Sequence, residues 1–287
     1  MQGSRRITRW VIALALLACA GSASASAPAA GSTSRQARDE AIRAFPLAGL
    51  SPEDRAKVTA VLDDVTLYRK LPTQIIECDA ALYRYLIEHP EVVISMWRVM
   101  GITDIKLDKI DTTSYQADDN AGTKGVLRFL LRSPEVHVLY GDGKYDGALL
   151  PRAVRGQTVF LLRNTATTDK FGRTTIQCRL DSFIRMENVT VELLARTFQP
   201  LVGHVADHNY RETAVFLNRI HRAAQVNPEG LTQLVEQLDG VDKDTAKAFN
   251  KIADDVAAKA AFTEQLSTPA VPERAAEVPT IARPKRR

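Results

Sequence analysis

The sequence predicts an α+β fold with about seven antiparallel strands, one long helix after them in the chain, and added helices at both ends. From residue 102 to 186, apolar and polar residues alternate in short runs separated by turn residues such as Asp142-Gly143, as in successive β-hairpins. From residue 190 to 225, apolar residues recur instead at helical spacing. Helix-start signals precede the strands, and two more helical patterns follow residue 226.

The first 25 residues have the pattern of an export signal. Three arginines, at positions 5, 6 and 9, precede an apolar run over residues 10–20 that is too short to span a bilayer. Ala23-Ser24-Ala25 then supplies the small-residue pattern that signal peptidase cleaves, so we expect cleavage after Ala25. This pattern predicts an exported protein, either periplasmic or secreted.

Other interpretations of this N-terminus stay open. Leu16-Leu17-Ala18-Cys19 is similar to a lipoprotein signal, in which Cys19 becomes the lipidated first residue. Ser4-Arg5-Arg6 is similar to the start of a twin-arginine signal, and an uncleaved membrane anchor is the remaining alternative. Beyond residue 25, no apolar stretch approaches membrane length, so we predict no integral membrane segment after processing.

The charge of the processed chain gives no case for a nucleic-acid partner. The formal net charge of +4 includes the three arginines of the export signal. The rest of the chain is therefore close to neutral, whereas nucleic-acid-binding domains carry a basic patch or stripe.

The elements before the long run of strands are predicted from capping and turn residues. Residues 26–50 are expected to be a flexible linker, since their first half is rich in Ala, Gly and Ser. Ser51-Pro52-Glu53-Asp54 then starts a helix with a capping-box-like pair. The first strand follows over residues 67–77, where Pro72 indicates an edge or a bulge. Asp79 and Pro90 start two short helices.

After Gly101, which ends the second short helix, the pattern becomes β. Alternation and turn residues predict six further strands, joined mainly by hairpins. They are residues 102–110, 113–118, 123–133, 135–141, 156–165 and 173–186.

A long helix over residues 190–225 is predicted next, capped by Asn188 and kinked by Pro200. Its apolar side chains fall on one narrow face, namely Leu194, Phe198, Leu201, Val205, Phe216 and Ala223. Residues 227–266 are predicted to form appended helices. The proline-rich, basic residues 267–287 are expected to be a disordered tail.

This order of elements resembles the START-like, helix-grip superfamily of lipid-transfer, pollen-allergen and polyketide-cyclase-related proteins. The resemblance is one of architecture and covers residues 67–225 within a domain of residues 51–226. Its most telling part is Ile75-Ile76-Glu77-Cys78-Asp79 through Trp97 to Ile105, which is similar to the family's first strand, paired helices and second strand. The resemblance implies a curved sheet of about seven strands wrapped on the long helix, with a hydrophobic ligand between them, but no shared catalytic motif. We expect no cofactor.

Polar residues on the long helix are the candidate ligand anchors. On a helical wheel Glu212 falls in the middle of the apolar face, with His208 and Asn209 near its margins. One interpretation makes Glu212 a buried acid paired with Arg128, Arg163 or Arg179. In a second, His208, Asn209 and Glu212 bind a ligand's polar group while neighbouring apolar residues bind its body. Those apolar residues are Phe198, Leu201, Val205 and Phe216.

A third interpretation notes that His204, His208 and Glu212 are spaced four residues apart, as zinc ligands along one helix would be. No HExxH or CxxC motif supports it, and we expect no metal. Removal of Cys19 leaves Cys78 and Cys178, which are interpreted either as a disulfide or as two separately buried thiols.

The sequence thus predicts an exported protein that binds a hydrophobic small molecule or lipid beneath the long helix. An envelope protein that acts through its appended helices, without a ligand, is the alternative. A second alternative is a cyclase- or hydrolase-like enzyme that uses His208 and Glu212 as acid and base.

Overall fold

The computed structural model describes residues 31–148, 152–170, 172–187, 203 and 205–267. The predicted export signal, residues 268–287 of the predicted tail, and Phe198, Leu201 and His204 lie outside these residues. Within them the α+β class and the antiparallel sheet are confirmed. None of the described helices is long and apolar enough to cross a membrane.

The described residues form eight strands and seven α-helices. The strands are β1 (Leu67–Lys70), β2 (Gln74–Glu77), β3 (Lys106–Lys109), β4 (Ser114–Asp118), β5 (Thr123–Arg132), β6 (Val136–Tyr145), β7 (Val154–Thr168) and β8 (Thr174–Met186). The helices are α1 (Arg35–Arg43), α2 (Pro52–Asp63), α3 (Ala80–Glu88), α4 (Pro90–Val99), α5 (Ala206–Val226), α6 (Pro228–Val235) and α7 (Lys243–Ser267).

The predicted helix starts are confirmed where a side chain caps the helix. The Ser51 hydroxyl accepts a hydrogen bond from the amide of Asp54, and the Asp79 carboxylate accepts from the amides of Ala81 and Leu82. Each contact satisfies an amide that has no partner inside its own helix, so the helix begins at a defined residue.

Strands β3 to β8 follow one another as an antiparallel meander, and β8 also pairs with β1 and β2. The sequence predicts a single strand over residues 67–77, but in the structure this segment is divided at Pro72 into β1 and β2. Proline has no amide hydrogen, so the ladder to β8 is interrupted there. For this reason the sheet has eight strands rather than seven.

The sheet's outer face packs against α1 and α2. Tyr68, Val159 and Phe183 project from this face into a core with Phe45 and Val58 from the helical side. Phe183 is fully buried and lies edge-on to Phe45, with ring centroids 6.2 Å apart. The two helices therefore form a layer behind the sheet.

The linker prediction for residues 26–50 is wrong from residue 31 onward. Ser34 caps α1 by accepting a hydrogen bond from the Ala37 amide, and Ala41, Phe45 and Leu50 are buried. The Ala-, Gly- and Ser-rich composition suggests flexibility because small residues carry little apolar periodicity. Burial against the sheet nevertheless orders this segment, because Phe45 and Leu50 supply the apolar contact that the small residues lack.

The sheet's inner face packs against α3, α4 and α5, and the appended helices join the same core. Leu231 and Val235 of α6 and Phe249 and Val256 of α7 are buried in it. The Tyr85 hydroxyl of α3 donates a hydrogen bond to the Thr245 carbonyl of α7 at 2.5 Å. Helices α6 and α7 are therefore integral to the inner layer.

Candidate functional site

A cavity of about 370 Å³ lies between the inner face of the sheet and helices α3, α4 and α5. Its wall is mainly aliphatic and aromatic, with contributions from all eight strands and from the three helices. Representative lining residues are Leu86, Ile94, Leu127, Phe160, Leu180 and Leu217. A cavity of this size and lining is suited to a small apolar molecule, since ligand sites span about 300–1,000 Å³ and are mostly hydrophobic.

Three glycines lie side by side on one part of the cavity wall. Gly125 of β5 pairs with Gly143 of β6, which pairs in turn with Gly156 of β7. A Cβ on Gly125 would lie 2.6 Å from the carbonyl oxygen of Asp142, and one on Gly143 would lie 2.6 Å from that of Lys124. The strands approach too closely for a larger residue, so bare backbone forms this part of the wall.

A polar cluster interrupts the apolar wall where α3, β7, β8 and α5 meet. The Tyr83 hydroxyl donates a hydrogen bond to Asn164 Oδ1 at 2.8 Å and lies 3.0 Å from Cys178 Sγ. Tyr83, Cys178 and Tyr210 line the cavity. The Tyr210 hydroxyl and Asn164 Nδ2 are both buried and have no hydrogen-bond partner among the described residues.

Burial raises the pKa of both tyrosines of this cluster. It raises the pKa of Tyr83 well above the ordinary value, and Cys178 adds to the effect. It likewise raises the pKa of Tyr210, with smaller contributions from Cys178 and Asp181. Both hydroxyls therefore stay protonated at physiological pH. The Tyr83 hydroxyl donates its hydrogen to Asn164, whereas the Tyr210 hydroxyl is available as a hydrogen-bond donor.

An ion pair connects β1 to the start of α5. Arg69 donates from Nε to Asp207 Oδ1 at 3.0 Å and from Nη2 to Oδ2 at 2.5 Å, and the Gly31 amide donates to Oδ2 at 3.2 Å. The side chains of Arg69 and Asp207 are only 11% and 12% exposed. Asp207 lies near the start of α5, so the ion pair connects β1 to this helix. Arg69 also lines the cavity, so its charge there is already neutralised.

The face of α5 that meets the cavity is not the one predicted. The lining residues of this helix are Ala206, Tyr210, Thr213, Ala214 and Leu217. None of the predicted ligand residues that the structure describes on α5 belongs to this set: His208 and Glu212 are half-buried, whereas Asn209 and Phe216 are buried.

Their positions on the helix explain this result. At about 100° per residue, His208 lies on the side of α5 opposite the mean direction of the lining residues, and Glu212 is about 145° away from it. Phe216 packs instead against Trp97, with ring centroids 5.4 Å apart. Val205, just before α5, is half-buried.

The error lies in the phase of the helix. The predicted face gave most weight to residues before 206, but Gly203 and Val205 have π-helical geometry. One extra residue in a turn rotates the following helix by about 100°. The correct signal was present after this turn, in the spacing of three or four residues along Ala206, Tyr210, Ala214, Leu217, Ile220 and Ala224. Three of these six residues are alanines, whose small side chains make the apolar pattern weak.

The arginines proposed as partners of Glu212 make other contacts. Arg128 pairs with Asp54, Arg163 Nη2 lies 2.6 Å from Asp181 Oδ2, and Arg179 donates to Gln177. Glu212 is half-buried, so it does not need a buried cation. No group of three metal-binding side chains is found in the parts of the chain that the structure describes, which exclude His204 of the proposed zinc set.

Cys78 and Cys178 are both buried free thiols, so the disulfide interpretation is wrong. The register explains why: Gln74 lies opposite Cys178, whereas the Cys78 amide donates to the Thr174 carbonyl. Residues 174 and 178 of β8 are about 13 Å apart along the strand. Bridged cysteines need Cα atoms within about 7 Å.

We expect the Cys178 thiol to be unreactive in the native protein. Burial raises its pKa to about 11, although the hydrogen bond with Tyr83 acts in the opposite direction. The folded pKa exceeds the unfolded value of about 8.5. The contribution of the protonated thiol to the free energy of unfolding is therefore fully present below pH 8.5 and is lost as the pH rises toward 11. Labelling with iodoacetamide at pH 8, followed by peptide mass spectrometry, should modify Cys178 only after unfolding. Rapid labelling of the native protein would contradict this assignment.

No family model matches the chain, and no curated protein matches it. Among solved structures, it is similar to a conserved protein from Geobacillus kaustophilus, with 14% identity and a TM-score of 0.36 over 53% of this chain and 90% of the other. It is also similar to apo dicamba monooxygenase, with 10% identity and a TM-score of 0.29, covering 69% of this chain and 57% of that one.

A second structure of dicamba monooxygenase, with non-heme iron and dicamba, has 10% identity and a TM-score of 0.30. The match covers 72% of this chain and 60% of the oxygenase. Likenesses at these scores assign no function to this chain.

Proposed function

We propose that this protein is an exported carrier that binds one hydrophobic small molecule or lipid in the cavity between its sheet and α5. The observation that carries the proposal is the cavity of about 370 Å³, which is lined by apolar side chains from both the sheet and the helical layer. A concave, mostly apolar cavity with a few polar groups is the usual form of a small-molecule site.

The order of the strands supports a helix-grip architecture for this carrier. The meander of β3 to β8 is closed by β1 and β2 at the far side of β8, and α5 follows β8 and lies against the inner face. The resemblance to START-like proteins rests on the same order of elements. The export signal predicted for residues 1–25 gives the carrier an extracytoplasmic location.

Filling the cavity should weaken ligand binding. Ala117 of β4 lines the cavity and is half-buried, so a phenyl ring there would occupy ligand space. With the uncharged fluorophore N-phenyl-1-naphthylamine, we expect saturable binding to the wild type and about a tenfold higher Kd for Ala117→Phe. Fluorescence titration measures both values.

Ala258→Phe is the matched control, because Ala258 is exposed on α7 and the same ring is added away from the cavity. Its Kd should equal that of the wild type. The carrier proposal is overturned if the wild type shows no saturable binding, or if both variants bind as the wild type does.

The enzyme alternative receives no support from this geometry. It needs His208 and Glu212 at a pocket, and neither of them lines the cavity. The carrier is therefore the function that the arrangement of side chains favours.

A further inference from the structure

Hydrogen-bond donors that lack acceptors are found in the cavity wall and on Asn164, which contacts the lining residue Tyr83. Besides the Tyr210 hydroxyl and Asn164 Nδ2, the indole Nε1 of Trp97 is buried without a partner among the described residues. Asn164 and Trp97 are only 6% and 3% exposed, and Tyr210 and Trp97 line the cavity. A buried donor without an acceptor is costly, and proteins usually satisfy such groups.

Two of these groups belong to one cluster. Asn164 uses its carbonyl oxygen to accept from Tyr83, which leaves only its amide hydrogens, and these can donate but not accept. Tyr210 and Cys178 line the same cavity, and Cys178 contributes to the raised pKa of the Tyr210 hydroxyl. Since Cys178 lies 3.0 Å from the Tyr83 hydroxyl, the free donors are on the same side of the cavity. The cluster therefore offers donors and needs an acceptor.

Charge at the cavity wall is already balanced. Arg69 is bound in a bidentate pair by Asp207, and both side chains are almost fully buried. Lys124, Asp142, Lys144 and Arg155 also border the cavity, but they alternate with the inward-facing glycines and share the outer face with Val138 and Val159. No free charge among these side chains faces the polar cluster, so a charged ligand group would be buried without a counter-ion.

We propose that the carried ligand is an uncharged hydrophobe with an acceptor oxygen, such as a ketone, ester or ether, which accepts a hydrogen bond from the Tyr210 hydroxyl. The inference rests on the carrier function proposed above and names its ligand class. The cavity volume of about 370 Å³ is at the low end for drug-sized ligands, which favours a compact ring system or a single chain.

A matched pair of probes tests this inference on the full processed protein. The first is 6-propionyl-2-(dimethylamino)naphthalene, an uncharged ketone whose emission moves to longer wavelength when its carbonyl accepts a hydrogen bond. The second is 2-(dimethylamino)naphthalene, which lacks the carbonyl. Fluorescence titration gives the Kd of each for the wild type, for Tyr210→Phe and for Tyr140→Phe. Tyr140 is the matched control because it packs on the outer face of the sheet.

We expect Tyr210→Phe to raise the Kd of the ketone about three- to tenfold, the worth of one hydrogen bond, and to shift its bound emission to shorter wavelength. The Kd of the second probe should change less than twofold, and Tyr140→Phe should change neither. The emission wavelength of the ketone bound to the wild type reports the hydrogen bond directly. This measurement tests the inference even if Tyr210→Phe does not fold.

The outcomes separate the two proposals. If both probes bind but the ketone shows no hydrogen-bonded emission and Tyr210→Phe changes nothing, the ligand class is wrong and the carrier function stands. If neither probe binds to the wild type, the carrier function itself is wrong.

Discussion

Phe45→Ala should lower the free energy of unfolding by about 3–5 kcal/mol, the usual cost of deleting a buried aromatic ring. Phe45 is only 7% exposed and packs edge-on against Phe183, which is fully buried at the centre of the outer face. Removing the ring leaves a hole between the sheet and the helical layer that covers it. Urea denaturation of the wild type and the variant, followed by circular dichroism, measures the difference.

Arg43→Ala is the control for this prediction, because Arg43 is exposed on α1, two residues before Phe45. Its effect should stay within about 0.5 kcal/mol, as for most surface substitutions. If Phe45→Ala cost no more than the control, residues 31–50 would behave as the flexible linker that their composition predicts, and α1 would not be part of the core.

Asp207→Ala is expected to destabilise the protein by about 3 kcal/mol, because it leaves the Arg69 guanidinium buried without its counter-ion. The carboxylate accepts two hydrogen bonds from Arg69 and one from the Gly31 amide, so three donors lose their acceptor together. This ion pair also joins β1 to the first turn of α5. The measurement is again urea denaturation, at fixed salt concentration.

A double variant separates loss of the pair from the burial of a lone charge. In Arg69→Met/Asp207→Leu both charges are removed, and we expect it to be more stable than Asp207→Ala. Should the single and double variants be equally unstable, the cost would arise from lost packing or from the Gly31 contact rather than from an unpaired guanidinium.

Local signals in the sequence predicted most of the elements correctly. The caps at Ser51 and Asp79 and most of the alternation over residues 102–186 depend on neighbours within a few positions, so the sequence itself contains the needed information. The turn predicted at Asp142-Gly143 is wrong, because both residues pair within β6. Pro72 also predicts an edge or a bulge in the first strand. The division of this strand into two depends on its hydrogen-bond ladder with β8, and the local sequence pattern does not specify that pairing.

The candidate site was predicted in outline but not in its residues. A cavity beneath the long helix was expected, yet the polar cluster combines Tyr83, Asn164, Cys178 and Tyr210 from four different elements. No motif links these positions, because they become neighbours only when the strands pair and α5 docks. The assignment of Glu212 failed because helical spacing specifies relative angles within one helix, and an irregular turn before residue 206 changes the phase.

By itself the sequence determined the fold class, the positions of most strands and helices, and the order in which they follow one another, since period and capping are local properties. Tertiary structure alone decided that α1 and α2 cover the outer face, which side of α5 meets the cavity, and that Cys78 and Cys178 stay apart. Both faces of the sheet are apolar, so hydrophobic pattern cannot say which helix covers which face. That choice depends on packing between residues far apart in the chain, where shape and hydrogen bonding decide among surfaces of equal hydrophobicity.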